Sequence, residues 1–152
     1  MVLGNQAITF FKDSLDKFQN NNEVAHINGW VHPVQISSGR EQLHYSKIMH
    51  CWGWATWKDR WEDFIKFLKT ESIIISKEQS LEINFNGNLN NLEQMIKNEV
   101  GLVKTWAVYW QVYIFLNNLM CLSPYKSLTL NTGLERDSSS DFILKITQNL
   151  EI

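Results

Sequence analysis

The chain has 152 residues, of which 44% are hydrophobic and 20% charged, and its formal net charge is −2. This balance is typical of a folded globular protein and excludes a disordered tail, and the length predicts a single domain over residues 1–152. The 14 Lys and Arg residues are interspersed with 16 Asp and Glu residues. No basic stripe is available to neutralise phosphates, so we expect no nucleic-acid partner.

The N-terminal part of the chain predicts one amphipathic helix and two extended segments. Ile8, Phe11, Leu15 and Phe18 recur at helical spacing, so we expect a helix that ends at the asparagines of positions 20–22. The stretch "EVAHINGWVHP" predicts a short strand of alternating exposure that runs into a loop, and "QLHYSKIMHCW" predicts a second extended segment.

The stretch "HCWGWATWKDRW" contains four of the seven tryptophans within ten residues. The spacing of Trp54, Trp57 and Trp61 predicts a helix over about 54–69 with the three rings on one face. Most tryptophans on such a face pack into a core, and we expect this structural role for Trp57 and Trp61.

Two of these tryptophans flank a glycine where an extended segment meets the predicted helix. At such a turn, side chains and the free N–H groups of the helix can face a ligand, and glycine lets a ligand or backbone approach closely. We therefore predict that Trp52, Gly53 and Trp54 contact a ligand.

The C-terminal part of the chain predicts a mixture of strands and helices. The runs "SIIIS" and "SLEINF" are β-prone, "LNNLEQMIKNEVG" predicts a helix that ends at Gly101, and "VKTWAVYWQVYIFLNN" predicts another helix. The segments "LMCLSP" and "KSLTLNTG" predict two extended pieces, followed by a serine-rich loop at 138–140 and an ordered "DFILKITQNL". These elements together predict a mixed α/β fold class.

The histidines, acids and cysteines give little indication of a catalytic or metal site. His26, His32, His44 and His50 include no i, i+4 pair, so we expect surface or strand positions and no metal site among them. Cys51 and Cys121 are expected to be reduced and buried.

A group of acids follows the tryptophans along the predicted helix. Asp59, Glu62 and Asp63 alternate there with Lys58, Arg60 and Lys66. Pairing with these cations on a solvated face is the expected role of the acids, in preference to catalysis.

Four segments, "VAHINGW", "HCWGWATWKDRW", "KTWAVYW" and "LSPYKSLTLNTG", resemble in sequence and order a branch of the nucleotide-sugar glycosyltransferases related to family 2. The corresponding family patterns are Ile-Ser-Gly-Tyr, Trp-Gly-Trp-Ala-Thr-Trp, Asp-Ser-Trp-Ala-x-x-Trp and Pro-x-x-Ser-Leu-Val-x-Asn-Ile-Gly. The resemblance implies a partial GT-A-like three-layer α/β domain, the acceptor-side half, which lacks the N-terminal nucleotide-binding strands.

The resemblance also implies a set of substrate-binding residues: Gly29, Trp30, Trp52, Gly53, Trp54 and Trp106. The complete enzyme would use a nucleotide-sugar donor with Mn or Mg and transfer the sugar to a glycan or lipid-linked acceptor. The family's metal-binding Asp-x-Asp motif, which precedes the helix similar to "NQAITFFKDSLDKF", is missing from this sequence. The resemblance therefore implies a truncated fragment, without metal or cofactor and inactive alone.

Two further departures from the family concern chemistry. Lys104 stands where the family has an acid before Ser-Trp, and about Ser140 the family often has a histidine that could help to bind the metal. Asp137 is the remaining acid near the expected active-site rim and is the weak candidate for catalysis, although a loop aspartate is most often a turn residue.

Two other functions stay open at this point. The same tryptophans would suit a carbohydrate-binding or scaffolding module without catalysis, and a structural remnant with no ligand is a third interpretation. In the fragment interpretation the sheet has lost strands, so we expect self-association or a separately encoded N-terminal half as partner. The sequence has no apolar run of about 20 residues and favours a cytosolic protein, which leaves peripheral association with a membrane open.

Overall fold

A computed structural model of the chain describes residues 2–32, 43–70, 72–130 and 132. The predicted acid Asp137, the serine-rich loop at 138–140 and the segment 141–150, which was predicted to be ordered, lie outside these ranges. The described residues form two compact units, of which the second is Trp57–Leu119 and the first comprises the residues before and after it. They contain five helices and two sheets, so the prediction of a mixed α/β fold class is confirmed.

The first unit contains one helix and all the strands of the described residues. Its elements are β1 (Val2–Leu3), α1 (Ala7–Phe18), β2 (Val24–Asn28), β3 (Leu43–Ser46), β4 (Trp54–Ala55), β5 (Met120–Pro124) and β6 (Thr129–Leu130). Four strands form a sheet in the order β3-β5-β2-β4, in which β2 and β5 are parallel and the other neighbours antiparallel. A separate antiparallel pair joins β1 to β6.

Strand β2 is buried along its whole length, from Val24 to Asn28. The predicted alternation of exposed and buried residues is therefore wrong. The reason is that both faces of β2 are covered. Helix α1 contacts β2, and the side chains of His26 and Asn28 contact Trp54 and the segment 48–50, so that neither face reaches water. A histidine and an asparagine are thereby placed in the interior.

Helix α1 confirms the helix predicted for the N-terminal part of the chain, but its buried face differs from the predicted one. Ile8 is 69% exposed, whereas Ala7, Ser14 and Phe18 are buried. These three positions are separated by seven and four residues, which also places them on one side of a helix. Phe18 is buried as predicted, and Phe11 and Leu15 are half-buried, so the buried face is the predicted stripe rotated away from Ile8 and towards Ala7.

The second unit is helical. Its elements are α2 (Lys58–Leu68), α3 (Lys77–Ile83), α4 (Asn91–Glu99) and α5 (Ala107–Leu116). Helix α5 contacts each of the other three, and it supplies most of the buried residues of this unit: Val108, Trp110, Gln111, Val112, Tyr113 and Ile114. The two helices predicted for residues 89–118 are confirmed, and Gly101 follows α4 with a left-handed φ of 78°.

The helix predicted from Trp54 begins four residues later, so this prediction is wrong at its start. Trp54 and Ala55 instead pair with Asn28 and Ile27 of β2, and Trp57 is the extended N-cap of α2. In the pair with β2, the backbone N–H and C=O groups of this segment form strand hydrogen bonds in place of the hydrogen bonds of a helix. The three tryptophans consequently do not share one helical face.

The strand predicted for "SLEINF" is also wrong, because most of this segment belongs to α3. Ser76 is the N-cap: its Oγ accepts a hydrogen bond from the Gln79 N–H at 3.2 Å, and the Gln79 Oε1 accepts one from the Ser76 N–H at 2.9 Å. This reciprocal capping box satisfies two backbone donors at the helix start. Residues 72–76 likewise form no strand.

We expect Ser76→Ala to destabilise the second unit by about 1 kcal/mol, because the Gln79 N–H loses its acceptor. Urea unfolding would measure the free energy of unfolding. The matched control is Ser72→Ala, which removes a hydroxyl from an exposed residue outside any helix. Equal stability of the two variants would contradict the capping role.

Helix length and the two cysteines can be compared with the sequence predictions within the described ranges. No helix within them is long and apolar enough to cross a membrane. Both cysteines are free; Cys121 is buried as expected, but Cys51 is exposed, so the expectation of burial is wrong for Cys51. The difference arises because Cys121 lies on β5 inside the sheet, whereas Cys51 precedes the short edge strand β4.

Candidate functional site

Three segments that are far apart in the sequence meet in the first unit at two glycines. The Gly29 N–H donates a hydrogen bond to the Gly53 carbonyl at 2.8 Å, and the Gly29 carbonyl accepts one from the Leu128 N–H at 2.7 Å. Gly29 follows β2, Gly53 precedes β4 and Leu128 precedes β6. We call this junction the glycine crossing.

The crossing has no room for side chains at either glycine. A Cβ atom on Gly29 would lie 2.6 Å from the Phe11 ring and 2.9 Å from the Gly53 carbonyl oxygen. A Cβ on Gly53 would lie 2.5 Å from Cγ2 of Thr129, and Gly53 has a φ of +76°. Thr129 is itself fixed, because its Oγ1 donates to the Trp52 carbonyl at 2.5 Å. Glycine is therefore required at both positions.

A buried asparagine side chain ties β2 to the segment that precedes the crossing. The Asn28 Nδ2 group donates to the Ile48 carbonyl at 3.0 Å and to the Ser123 Oγ at 2.9 Å. Its Oδ1 accepts from the His50 N–H at 2.7 Å and contacts the His26 Nε2 at 2.8 Å. All the hydrogen-bonding capacity of this amide is used, which makes a buried polar group favourable instead of costly.

His26 takes part in the same network as a neutral ring. Its Nε2 faces two acceptors, the Asn28 Oδ1 and, at 3.3 Å, the His50 carbonyl, so this nitrogen carries the proton. Trp54 stacks on the imidazole, with ring centroids 5.3 Å apart and planes inclined by 13°. Burial lowers the pKa of His26 to about 3, since a charged imidazole would lose its hydration.

The rings of Trp30, His32, His50 and Trp52 form a cluster next to this network. Trp30 lies edge-on to His32, His50 and Trp52, with centroid distances of 4.6, 4.7 and 4.6 Å. The pKa of His50 is lowered to about 4. Burial is the largest cause, and the nearby His32 and His44 lower the pKa further. At neutral pH the inner part of the site thus consists of uncharged aromatic rings, amides and hydroxyls.

Five of the six residues predicted to bind substrate belong to this one region. Gly29 and Gly53 form the crossing, Trp52 and Trp54 are half-buried beside it, and Trp30 is only 4% exposed. The small exposed fraction of Trp30 suits a supporting role better than direct contact with a ligand. Whether any of them binds a substrate stays a prediction.

The sixth predicted residue, Trp106, belongs to the second unit. It precedes α5, is 40% exposed and packs edge-on against Trp61 with ring centroids 5.7 Å apart. Trp61 also contacts Phe64 and Trp110. The structural role predicted for Trp61 agrees with this aromatic cluster.

The acids considered as catalytic candidates form ion pairs on α2. Lys58 lies 3.7 Å from Glu62, Lys66 lies 2.7 Å from Asp63, and Arg60 lies 2.5 Å from Asp59. The expected pairing three or four residues apart on a solvated face is confirmed for Lys58–Glu62 and Lys66–Asp63. It is wrong for Arg60, which is buried and pairs with the adjacent Asp59.

Sequence reasoning missed the buried polar residues of the site. His26 was expected at the surface or on a strand; it is on a strand and fully buried, so a surface position is wrong for it. Asn28, Ser123 and Thr129 were not predicted at all. A signal was present for Asn28, because an asparagine inside an apolar strand must find hydrogen-bond partners.

A search for metal-binding groups of side chains and comparisons with known proteins add no information about the site. In residues 2–32, 43–70, 72–130 and 132, no group of three or more His, Cys, Asp or Glu side chains is arranged to hold a metal ion. No protein-family model, no curated protein and no solved structure matches the chain.

Proposed function

We propose that these residues form the acceptor side of a sugar-transfer site, of the type found in GT-A glycosyltransferases related to family 2. The observation that carries the proposal is the glycine crossing. Three of the four segments that resemble that family meet there, although "VAHINGW", "HCWGWATWKDRW" and "LSPYKSLTLNTG" are separated by up to about a hundred residues. Each contributes a backbone group or side chain to the same small junction.

The chemistry of the site suits a sugar acceptor. Sugars offer C–H faces that pack on aromatic rings and hydroxyls that exchange hydrogen bonds with amides and carbonyls, and ligand sites commonly combine such groups. Trp52 and Trp54 are half-buried, so each ring presents some surface to solvent while being held by its neighbours. The tight crossing beneath them keeps the backbone rigid, which lowers the entropic cost of binding.

The proposal does not extend to the binding of the nucleotide-sugar donor. Sugar transfer from a nucleotide donor requires that the charge on the diphosphate leaving group be neutralised. No cluster of the described residues fits a divalent metal, and the sequence contains no Asp-x-Asp. We therefore assign no catalytic step to a metal here and propose that these residues bind and orient the acceptor.

The proposal predicts that neutral oligosaccharides such as lactose and maltotriose change the tryptophan fluorescence of the chain, and that Trp52→Ala weakens their binding about fivefold to tenfold, from the loss of an aromatic contact. A nucleotide sugar with manganese should give no tight binding. Calorimetry alongside the fluorescence titration would measure both affinities.

The matched control is Trp57→Phe, which keeps an aromatic ring at the N-cap of α2, outside the predicted site. It should bind the oligosaccharides like the unmodified chain. Loss of binding in the control alone, or no response to any sugar, would contradict the proposal. Micromolar, EDTA-sensitive binding of a nucleotide sugar would contradict the assignment to the acceptor side.

A second candidate is a carbohydrate-binding module without catalysis. It is favoured by the lack of a strong base around Asn28. Burial lowers the pKa of His26 to about 3 and that of His50 to about 4, which makes both rings weak bases, and no carboxylate takes part in the described hydrogen bonds of Asn28. Both functions predict sugar binding. They differ in turnover: only the acceptor-side function predicts that the bound oligosaccharide is extended when a complementary donor-binding chain and a nucleotide sugar are added.

A further inference from the structure

Helix α4 of the second unit carries more apolar surface than its packing covers. None of its nine residues, all of which lie in the described ranges, is buried. Leu92 and Met95 are half-buried, and the helix contacts α3 and α5. At the C-terminal end of the helix, Ile96 is 61% exposed, Val100 is 64% exposed and the following Leu102 is 74% exposed. We call these last three residues the α4 tip.

The way in which α4 ends brings the three side chains of the tip together. Gly101 has a left-handed φ of 78°. Its N–H donates to the Asn98 carbonyl at 3.0 Å, and the Leu102 N–H donates to the Lys97 carbonyl at 2.8 Å. In this Schellman motif the residue after the glycine commonly packs against the residue before Lys97, which is Ile96. The third member of the tip follows Ile96 by four residues and shares its side of the helix.

The backbone at this helix end bonds largely to itself and to one side chain. The Lys97 carbonyl accepts hydrogen bonds from the N–H groups of Leu102 and Val103, at 2.8 and 3.2 Å. The Asn98 amide donates to the Thr105 carbonyl at 2.6 Å and accepts from the Thr105 N–H at 3.2 Å. These bonds hold the tip in place, and they lower the cost of moving it from water towards an apolar phase, where unpaired backbone groups are unfavourable.

The charged side chains of α4 have partners as well. Lys97 lies 2.6 Å from Glu93, and Glu99 accepts a hydrogen bond from the Tyr109 hydroxyl. Lys104 follows the tip, is exposed and forms none of the described ion pairs. A lysine stem can lie on an apolar surface while its ammonium group stays in water. The tip therefore offers mainly apolar contact.

We propose that the α4 tip inserts into the interface of a lipid bilayer, between the headgroups and the acyl chains. A stable protein interface uses about 20 to 30 residues a side, and its hot spots are enriched in Trp, Tyr and Arg, with Leu and Val under-represented. The tip has three aliphatic side chains and so suits lipid better than a protein partner. Binding to a bilayer needs no complementary shape and scales with the apolar area that becomes buried.

The experiment is sedimentation of the chain with vesicles of palmitoyl-oleoyl phosphatidylcholine. Half of the chain should bind at a lipid concentration on the order of 1 mM, because three partly exposed side chains leave water. Ile96→Gln and Leu102→Gln should each weaken the binding about tenfold through the loss of apolar burial. Added salt should change it by less than about twofold, since salt screens charges and not apolar contacts.

The matched control is Ile8→Gln. Ile8 lies on α1 and is 69% exposed, so the same change is made on a helix surface outside the tip. This variant should bind vesicles like the unmodified chain. Circular dichroism would verify that all variants fold, as expected for exposed positions. Equal weakening by Ile8→Gln and Ile96→Gln, or no vesicle binding by the unmodified chain, would overturn the proposal.

Two further outcomes would assign the tip to another role. A dimer that forms without lipid and is abolished by Leu102→Gln, seen in sedimentation velocity at several concentrations, would make a second copy of the chain the occupant and overturn the lipid proposal. Binding only to anionic phosphatidylglycerol vesicles, lost on addition of salt, would indicate electrostatic attraction in place of insertion and would also overturn it.

This inference does not depend on the proposed function, and the two can fail separately. Trp52→Ala should leave vesicle binding unchanged, and the tip variants should keep the response to oligosaccharides. Sugar binding without vesicle binding would remove the lipid proposal alone. Vesicle binding through the tip without any response to sugars would remove the proposed function alone.

Discussion

Gly53→Ala is expected to destabilise the protein by about 3 to 4 kcal/mol. The added methyl group would lie 2.5 Å from Cγ2 of Thr129, which is fully buried, and the residue must keep a φ of +76°. Overpacking of this kind costs roughly 1 to 3 kcal/mol, and a left-handed backbone at a non-glycine residue adds about 1 to 2 kcal/mol. Chemical denaturation would measure the loss in the free energy of unfolding.

Two variants separate the steric part of this effect from the backbone part. Gly101→Ala has the same kind of backbone, with a φ of +78°, and no atom of the described residues lies within 4 Å of the added Cβ, so it should cost only about 1 kcal/mol. Thr129→Ser in the Gly53→Ala background removes the clashing methyl group and keeps the hydroxyl that bonds Trp52, and should recover part of the loss. Equal destabilisation by Gly53→Ala and Gly101→Ala would show that the crossing is not tightly packed.

Acid is expected to destabilise the first unit through His26, which is buried, and His50, which is partly buried. Burial lowers the pKa of His26 from 6.5 to about 3 and that of His50 from 6.5 to about 4. Below pH 6.5 the unfolded chain therefore binds more protons than the folded protein, so the stabilising contribution is complete above pH 6.5 and is lost as the pH falls towards 4 and 3. At pH 5 the loss is roughly 2 kcal/mol for each ring.

Urea unfolding at pH 7, 6 and 5 would measure this loss. His50→Gln should make the pH dependence about half as steep, because the backbone N–H and carbonyl of His50 make its hydrogen bonds to Asn28 and His26 and survive the substitution. His32→Gln removes an exposed ring and should leave most of the dependence in place. A free energy of unfolding that is constant between pH 7 and pH 5 would contradict the burial of neutral histidines.

Local sequence patterns predicted the elements whose signals lie within a few residues. The apolar spacing and Gly101 predicted α4 and α5, and the β-prone residues predicted β2 and β5. The capping box of Ser76 and Gln79 is an equally local signal and indicates α3, whereas the β-prone composition of the same region predicted strands. Helix periodicity and caps act between residues three or four apart, so they can be read without knowledge of the fold.

The segments of the candidate site were also visible in the sequence, as unusual combinations of glycine and tryptophan. Their meeting was not, because the hydrogen bond from Gly29 to Gly53 and the contact of Gly53 with Thr129 join positions far apart in the chain. Such pairings depend on which strands become neighbours, and no local pattern encodes that order.

The sequence by itself determined the mixed α/β class, most helices and the residue types available for a site. Only the tertiary structure decided that Trp54 lies in a strand, that Ile8 faces solvent, and that His26 and Asn28 are buried. The physical reason is the same in each case: burial and strand pairing satisfy backbone and side-chain groups through partners distant in sequence. Local propensity offers the alternatives, and those distant partners select among them.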